Sequence, residues 1–179
     1  TLTVEQAEGL SEKGQYVSLP SLSTITADVA RALAKSKHEL CLRGLAVISV
    51  DVAESLAQHK GKSLELGLQA VSTEVAEALA RHEGESLSLR ELASLSDAQA
   101  AAFGKHRGRH LYLGGLSTLS PEQAAALAKH QGSLALGMAA ITSEAASALA
   151  EHRGPSLAIG LTSVSDDVVV ALAGRDGDL

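Results

Sequence analysis

The sequence has no tryptophan and no asparagine, and three aromatic residues in 179: Tyr16, Phe103 and Tyr112. A compact core draws on aromatics to fill volume, because each buries a large area. Without them the interior must be built from thin, uniform layers of Leu, Val, Ile and Ala. One cysteine, Cys41, excludes a disulfide framework and a cysteine-based zinc site. No apolar run reaches the roughly 18 residues of a membrane-spanning helix, so membrane insertion is not expected. Thr1 to Glu5 carry neither the basic nor the apolar stretch of a signal peptide, so none is expected. Cationic excess is also missing: the net charge is −6. Nucleic-acid binding needs a concentrated basic face, so nucleic acid is not an expected partner. With 45% hydrophobic and 20% charged residues, the chain is too apolar and too mixed in charge for disorder.

What is abundant is Leu, with 29 residues, and Ala, with 31, and both recur periodically. Leu111 to Gly132 reads LYLGGLSTLSPEQAAALAKHQG, and Leu87 to Gly108 and Leu40 to Gly61 repeat its layout. Units open at Val17, Leu40, Leu64, Leu87, Leu111, Leu134 and Leu157, at intervals of 23 or 24 residues. Leu2 to Gly14 reads as the back half of an earlier unit, and Leu179 as the start of a later strand. A period of this length signals a solenoid. The expected organisation is one repeat domain over 1–179, with a partial unit at 1–16.

Each unit divides in two. The L-x-L core alternates with period 2 and is too short for anything but a strand. A hydroxyl residue then opens a helix: Thr3, Thr26, Ser49, Ser72, Ser96, Ser120, Thr142 or Ser165. Pro121 takes the first helical position, where a missing N–H costs nothing. Gln6, Gln99 and Gln123 are placed to complete capping boxes. Gly61, Gly84, Gly108, Gly132, Gly154 and Gly177 stand where a left-handed closing residue is expected. Acids at helix starts and Lys, Arg or His at helix ends both suit the helix dipole. In the unit from Leu64, Val71, Val75, Ala76, Leu79 and Ala80 form one apolar stripe, with Glu74, Glu77 and Arg81 facing out. A strand and one short helix cannot bury their own faces, so neighbouring units must stack.

These residues resemble leucine-rich repeats in period and in the L-x-L strand. The typical class places Asn or Cys where this chain has Leu22, Leu45, Leu92 and Leu116. The pattern is closer to the atypical, BspA-like class of bacterial surface proteins. The stretch Val17-Ser18-Leu19-Pro20-Ser21-Leu22-Ser23-Thr24-Ile25 matches that layout best. The helical half here is longer and richer in Ala. The resemblance implies an α/β, right-handed solenoid with short parallel strands inside and short α-helices outside. It further implies binding of other proteins or ligands across the inner sheet.

The repeated His59, His82, His106, His130 and His152 are one candidate feature. They read either as a metal-binding or pH-sensing ladder or as helix-end caps that bond the last carbonyls or the next unit's turn. The second reading is preferred. Stacked helices lie roughly 9–10 Å apart, which puts the rings too far apart to share a metal. His38 and His110 read as exposed loop residues, and Met138 as core.

The second feature is the row of residues between the inward leucines: Ser18, Cys41, Glu65, Ser88, Tyr112, Ala135 and Ala158. Beside it runs Pro20, Arg43, Gly67, Arg90, Gly114, Gly137 and Gly160. Strands about 4.8 Å apart bring Arg43, Glu65 and Arg90 within mutual reach. Cys41, Arg43, Glu65, Arg90, Glu91 and Tyr112 form the candidate partner site, since Arg and Tyr are enriched in binding hot spots. No catalytic, cofactor or metal constellation is legible. Cys41 lacks an ordered base in sequence, and the glycine pairs lack the Lys of a phosphate loop. The expected function is a non-enzymatic scaffold for a protein partner. The alternative is a structural spacer, part of a longer array, with end-to-end self-association.

Overall fold

In a computed structural model, which describes residues 2–13 and 16–174, strands and helices alternate along the chain. The helices are α1 Val4–Glu12, α2 Ala27–Leu33, α3 Val50–Ala57, α4 Thr73–Ala80, α5 Asp97–Phe103, α6 Pro121–Leu127, α7 Ser143–Ala150 and α8 Asp166–Ala173. The strands are β1 Val17–Ser18, β2 Glu39–Leu42, β3 Ser63–Leu66, β4 Ser86–Ser88, β5 His110–Leu113, β6 Ser133–Leu136 and β7 Leu157–Ile159. The strands form one open, all-parallel sheet in sequence order. Each helix packs on the next. The architecture is therefore the expected α/β solenoid.

The register is set by the repeat. Val17, Leu40, Leu64, Leu87, Leu111, Leu134 and Leu157 stand opposite one another across all seven strands. All are buried, as are Leu42, Leu66, Leu113 and Leu136 two residues on. Because alternate side chains leave opposite faces of a strand, the intervening residues point away from the helices.

The helix starts follow the sequence expectation. Thr3, Thr26, Ser49, Ser72, Ser96, Ser120 and Thr142 each accept from the backbone N–H three residues on. Complete capping boxes form at Thr3/Gln6, Ser96/Gln99 and Ser120/Gln123. Ser165 departs from the pattern and makes no side-chain cap bond. At the fourth helical position Ala7, Ala30, Ala53, Ala76, Ala100, Ala124 and Ala146 are all 0% exposed. A methyl there lets consecutive helices approach closely. In α8 that position holds Val169, 53% exposed.

The helix ends differ from expectation. Helices α3, α4, α6 and α7 close on Gln58, Arg81, Ala128 and Glu151 in right-handed geometry. No described glycine occupies the left-handed region. The repeated glycines serve close approach instead. At Gly84 a Cβ would lie 2.6 Å from the His82 ring and 2.8 Å from the Gly61 carbonyl oxygen. Gly14, Gly177 and Leu179 lie outside the described residues.

Candidate functional site

The first candidate surface is the face of the sheet turned away from the helices. Register places Ser18, Cys41, Glu65, Ser88, Tyr112, Ala135 and Ala158 in one row. Glu65 is the centre of its polar part. Its carboxylate accepts from Arg43 at 2.7 Å and from the Cys41 thiol at 3.4 Å, and Arg90 stands 3.7 Å away. Arg90 also donates to the Ser88 hydroxyl (3.3 Å) and lies 5.6 Å from the centre of the Tyr112 ring. His110, at the head of β5, stacks on Tyr112 at 6.2 Å. Partial burial alone would raise the Glu65 pKa. The hydrogen bonds from Arg43 and Cys41 and the two guanidinium charges outweigh it and hold the carboxyl below its usual range.

The structure thus brings five of the six expected residues into one chain of contacts from Cys41 to Tyr112. Glu91 stands apart: it is exposed and makes no ion pair among the described residues. Beyond Tyr112 the face loses its side chains. Gly114, Ala135, Gly137, Ala158 and Gly160 floor a shallow depression of about 310 Å³, with Arg90 and Tyr112 at its edge. The backbone does not demand glycine throughout. A Cβ at Gly114 would lie 3.5 Å, and at Gly160 3.6 Å, from its nearest neighbour, which is ordinary contact.

The second candidate is the histidine column, and here the geometry corrects two expectations. Consecutive ring centres lie 5.8, 5.9, 5.5 and 6.3 Å apart, so the rings follow one another far more closely than helix axes would. The reason is position. Each His sits beyond its helix, three residues past the last core residue, and its N–H donates back to that residue's carbonyl. Three of the rings bond a carbonyl of the preceding unit rather than their own helix's last carbonyls or the next unit's turn. His59 Nε2–H donates to the His38 carbonyl (3.0 Å), His130 Nδ1–H to that of His106 (3.0 Å), and His152 Nδ1–H to that of Ala128 (3.2 Å). His106 Nδ1 accepts from the Gly108 N–H at 2.9 Å. His38 and His110 are half-buried, not exposed loop residues.

All five rings are at most 2% exposed. His59 Nδ1, His106 Nε2 and both ring nitrogens of His82 have no hydrogen-bond partner among the described residues. Burial disfavours the charged form. It pushes His82 down to about 4 and His106 to about 3, and neighbouring imidazoles add like-charge repulsion. His59 and His130 are lowered by burial too, against the opposing effect of their carbonyl bonds. His59, His82, His106 and His130 are therefore neutral at pH 7. Among the described residues no group of three or more His, Cys, Asp or Glu side chains is arranged to hold a metal ion.

Sequence reasoning missed the first rung. Ser36 stands three residues past Leu33, is 2% exposed, and accepts from the His38 N–H (3.3 Å) as His106 accepts from Gly108. Counting from the last helical core residue, rather than searching for His, would have found it.

No known protein-family model matches the chain, and no curated protein matches it. No helix among the described residues is long and apolar enough to cross a membrane.

Proposed function

We propose that the protein is a non-enzymatic repeat scaffold of the leucine-rich-repeat kind that binds a protein partner across the open face of its sheet. One observation carries the reading. An Arg–aromatic edge, Arg90 over Tyr112, borders a shallow apolar floor of glycine, alanine, Leu136 and Ile159. Arg and Tyr dominate the centres of protein interfaces. Glycines that the backbone does not require at 114 and 160 leave room there for a partner's side chains. The adjoining Arg43–Glu65–Arg90 group holds the guanidiniums in place before a partner arrives, which lowers the ordering cost of binding.

The test is selection of peptides from a random display library against the wild-type protein. A class of enriched peptides is expected to lose binding to Arg90→Glu and to Ala135→Arg, and to retain it for the helical-surface variant Ala125→Arg. The reading is refuted if no enriched peptide is sensitive to either of the first two variants.

A second reading has its own observation. Val164, Val169 and Val170 are 51%, 53% and 73% exposed on and just before α8. Apolar exposure of this kind suits end-to-end contact with another copy. Val169 stands where the seven other helices carry a fully buried Ala, so such a joint would not copy the internal ones. Growth in mass with concentration, abolished by Val170→Glu, would support it; a strict monomer at high concentration would reject it.

A further inference from the structure

A cavity lies on the other side of the molecule, in the helical layer. It is a groove of about 780 Å³ between α4 and α5. We propose that it docks an acidic amphipathic helix of a partner protein, with apolar side chains on an alanine floor and carboxylates on Lys105 and Arg107.

The groove exists because α5 breaks the repeat. At the second helical position the other helices carry Glu5, Asp28, Asp51, Glu74, Glu122, Glu144 and Asp167, whereas α5 carries Ala98. One turn on, where α1, α3 and α4 carry Glu8, Glu54 and Glu77, α5 carries Ala101, as α6 carries Ala125. Ala98 and Ala101 are exposed, and Ala80 and Ala102 close the floor between the helices. The helix dipole favours an acid in the first turn, and α5 keeps one at Asp97. Helix capping therefore does not explain the bare strip.

The charge at the rim selects the occupant. Arg31, Lys35, Arg43, Lys60, Arg81, Arg90 and Arg153 each have a carboxylate within 4.0 Å. Lys105 and Arg107, which line the basic end of the groove, have none among the described residues. Lys13, Lys37, Lys62, Arg109 and Lys129 lack one among the described residues as well, but none of them lines the groove. Rim carboxylate Glu83 is already engaged by Lys60 (3.8 Å). Glu77, also on the lining, has no cation within 4.0 Å among the described residues, so Lys105 and Arg107 leave the unpaired charge of the groove two positive to one negative. A volume of this size falls in the range of sites that hold a few side chains. A helix laid in a groove presents such anchors at i, i+3, i+4 and i+7. Single-stranded nucleic acid fits less well, because it needs aromatic stacking platforms. Phe103 is buried and Tyr112 lies on the sheet.

The test is fluorescence anisotropy with a synthetic peptide of about 14 residues, Leu at the anchor positions and Glu at the flanks. Its Lys-flanked counterpart, polyglutamate and a single-stranded oligonucleotide serve as competitors. The expected result is selective binding of the Glu-flanked peptide. Its Kd should rise about tenfold or more in Ala101→Gln, which fills the floor without adding charge, and in Lys105→Glu/Arg107→Glu. Arg90→Glu on the sheet should leave it unchanged. The mutated side chains are exposed, and circular dichroism checks that the fold is kept. Equal binding of the Lys-flanked peptide, full competition by polyglutamate or the oligonucleotide, or indifference to Ala101→Gln would overturn the proposal.

Discussion

Acid should unfold this protein earlier than its carboxylates alone would. His82 and His106 titrate at about 4 and about 3 in the folded chain, against 6.5 when unperturbed. The folded state favours the neutral forms, so the unfolded chain takes up protons first as pH falls. The column's stability is intact above 6.5 and is lost progressively below it. Each such imidazole removes about 1.4 kcal/mol per pH unit. The two together remove about 3–4 kcal/mol between pH 6 and pH 4.5. His59 and His130 act in the same direction. Against a typical total of about 5–15 kcal/mol, that is a large share. The carboxyls of Glu65, Glu74 and Glu144 are held low and contribute only at lower pH. The perturbation is His106→Ser, which copies the rung already present at Ser36. Urea titrations followed by far-UV circular dichroism from pH 7 to pH 4.5 provide the assay. At pH 7 the variant should be less stable by about 1–3 kcal/mol, because the smaller side chain leaves volume unfilled. Its stability should fall less steeply, by about 1.4 kcal/mol per pH unit, so the two curves converge. A gap that stays constant from pH 7 to pH 4.5 would refute the buried neutral ladder.

Two further outcomes concern the repeat itself. Gly84→Ala should cost about 2 kcal/mol or more, because its Cβ meets the His82 ring at 2.6 Å. Gly160→Ala, with 3.6 Å to its nearest neighbour, should stay within about 0.5 kcal/mol of wild type; thermal melts compare them. Ser120→Ala should cost about 1 kcal/mol through loss of a capping bond, whereas Ser165→Ala, which loses none, should cost clearly less in the same melts.

The repeat could be read from letters because its signals are local. Thr and Ser caps, L-x-L alternation and the Ala stripe each act within a few residues, and the register from Val17 to Leu157 follows from stacking identical units. The Arg43–Glu65–Arg90 contacts were legible from the same repeat: Arg43 and Arg90 share one offset, Glu65 stands two residues earlier on the strand between them, and long side chains on adjacent parallel strands span that step. The histidine column was misjudged because the spacing of helix axes was applied to residues that lie beyond the helices. The glycines were misread as left-handed closers because a helix end and a crowded turn call for the same residue. Only the packed structure shows that Gly84 makes way for His82. The groove beside α5 depends on side chains that are missing from a column, and a search for motifs passes over a missing acid at Ala98.

The central claim is that the open sheet face is the binding surface. It is tested most directly by backbone amide chemical-shift mapping with a peptide selected by display. Shifts centred on Arg90, Tyr112, Ala135 and Gly137, and lost in Arg90→Glu, are the predicted result. A sheet face that stays silent with every selected peptide, all shifts being confined to the helical layer or to α8, would contradict the account.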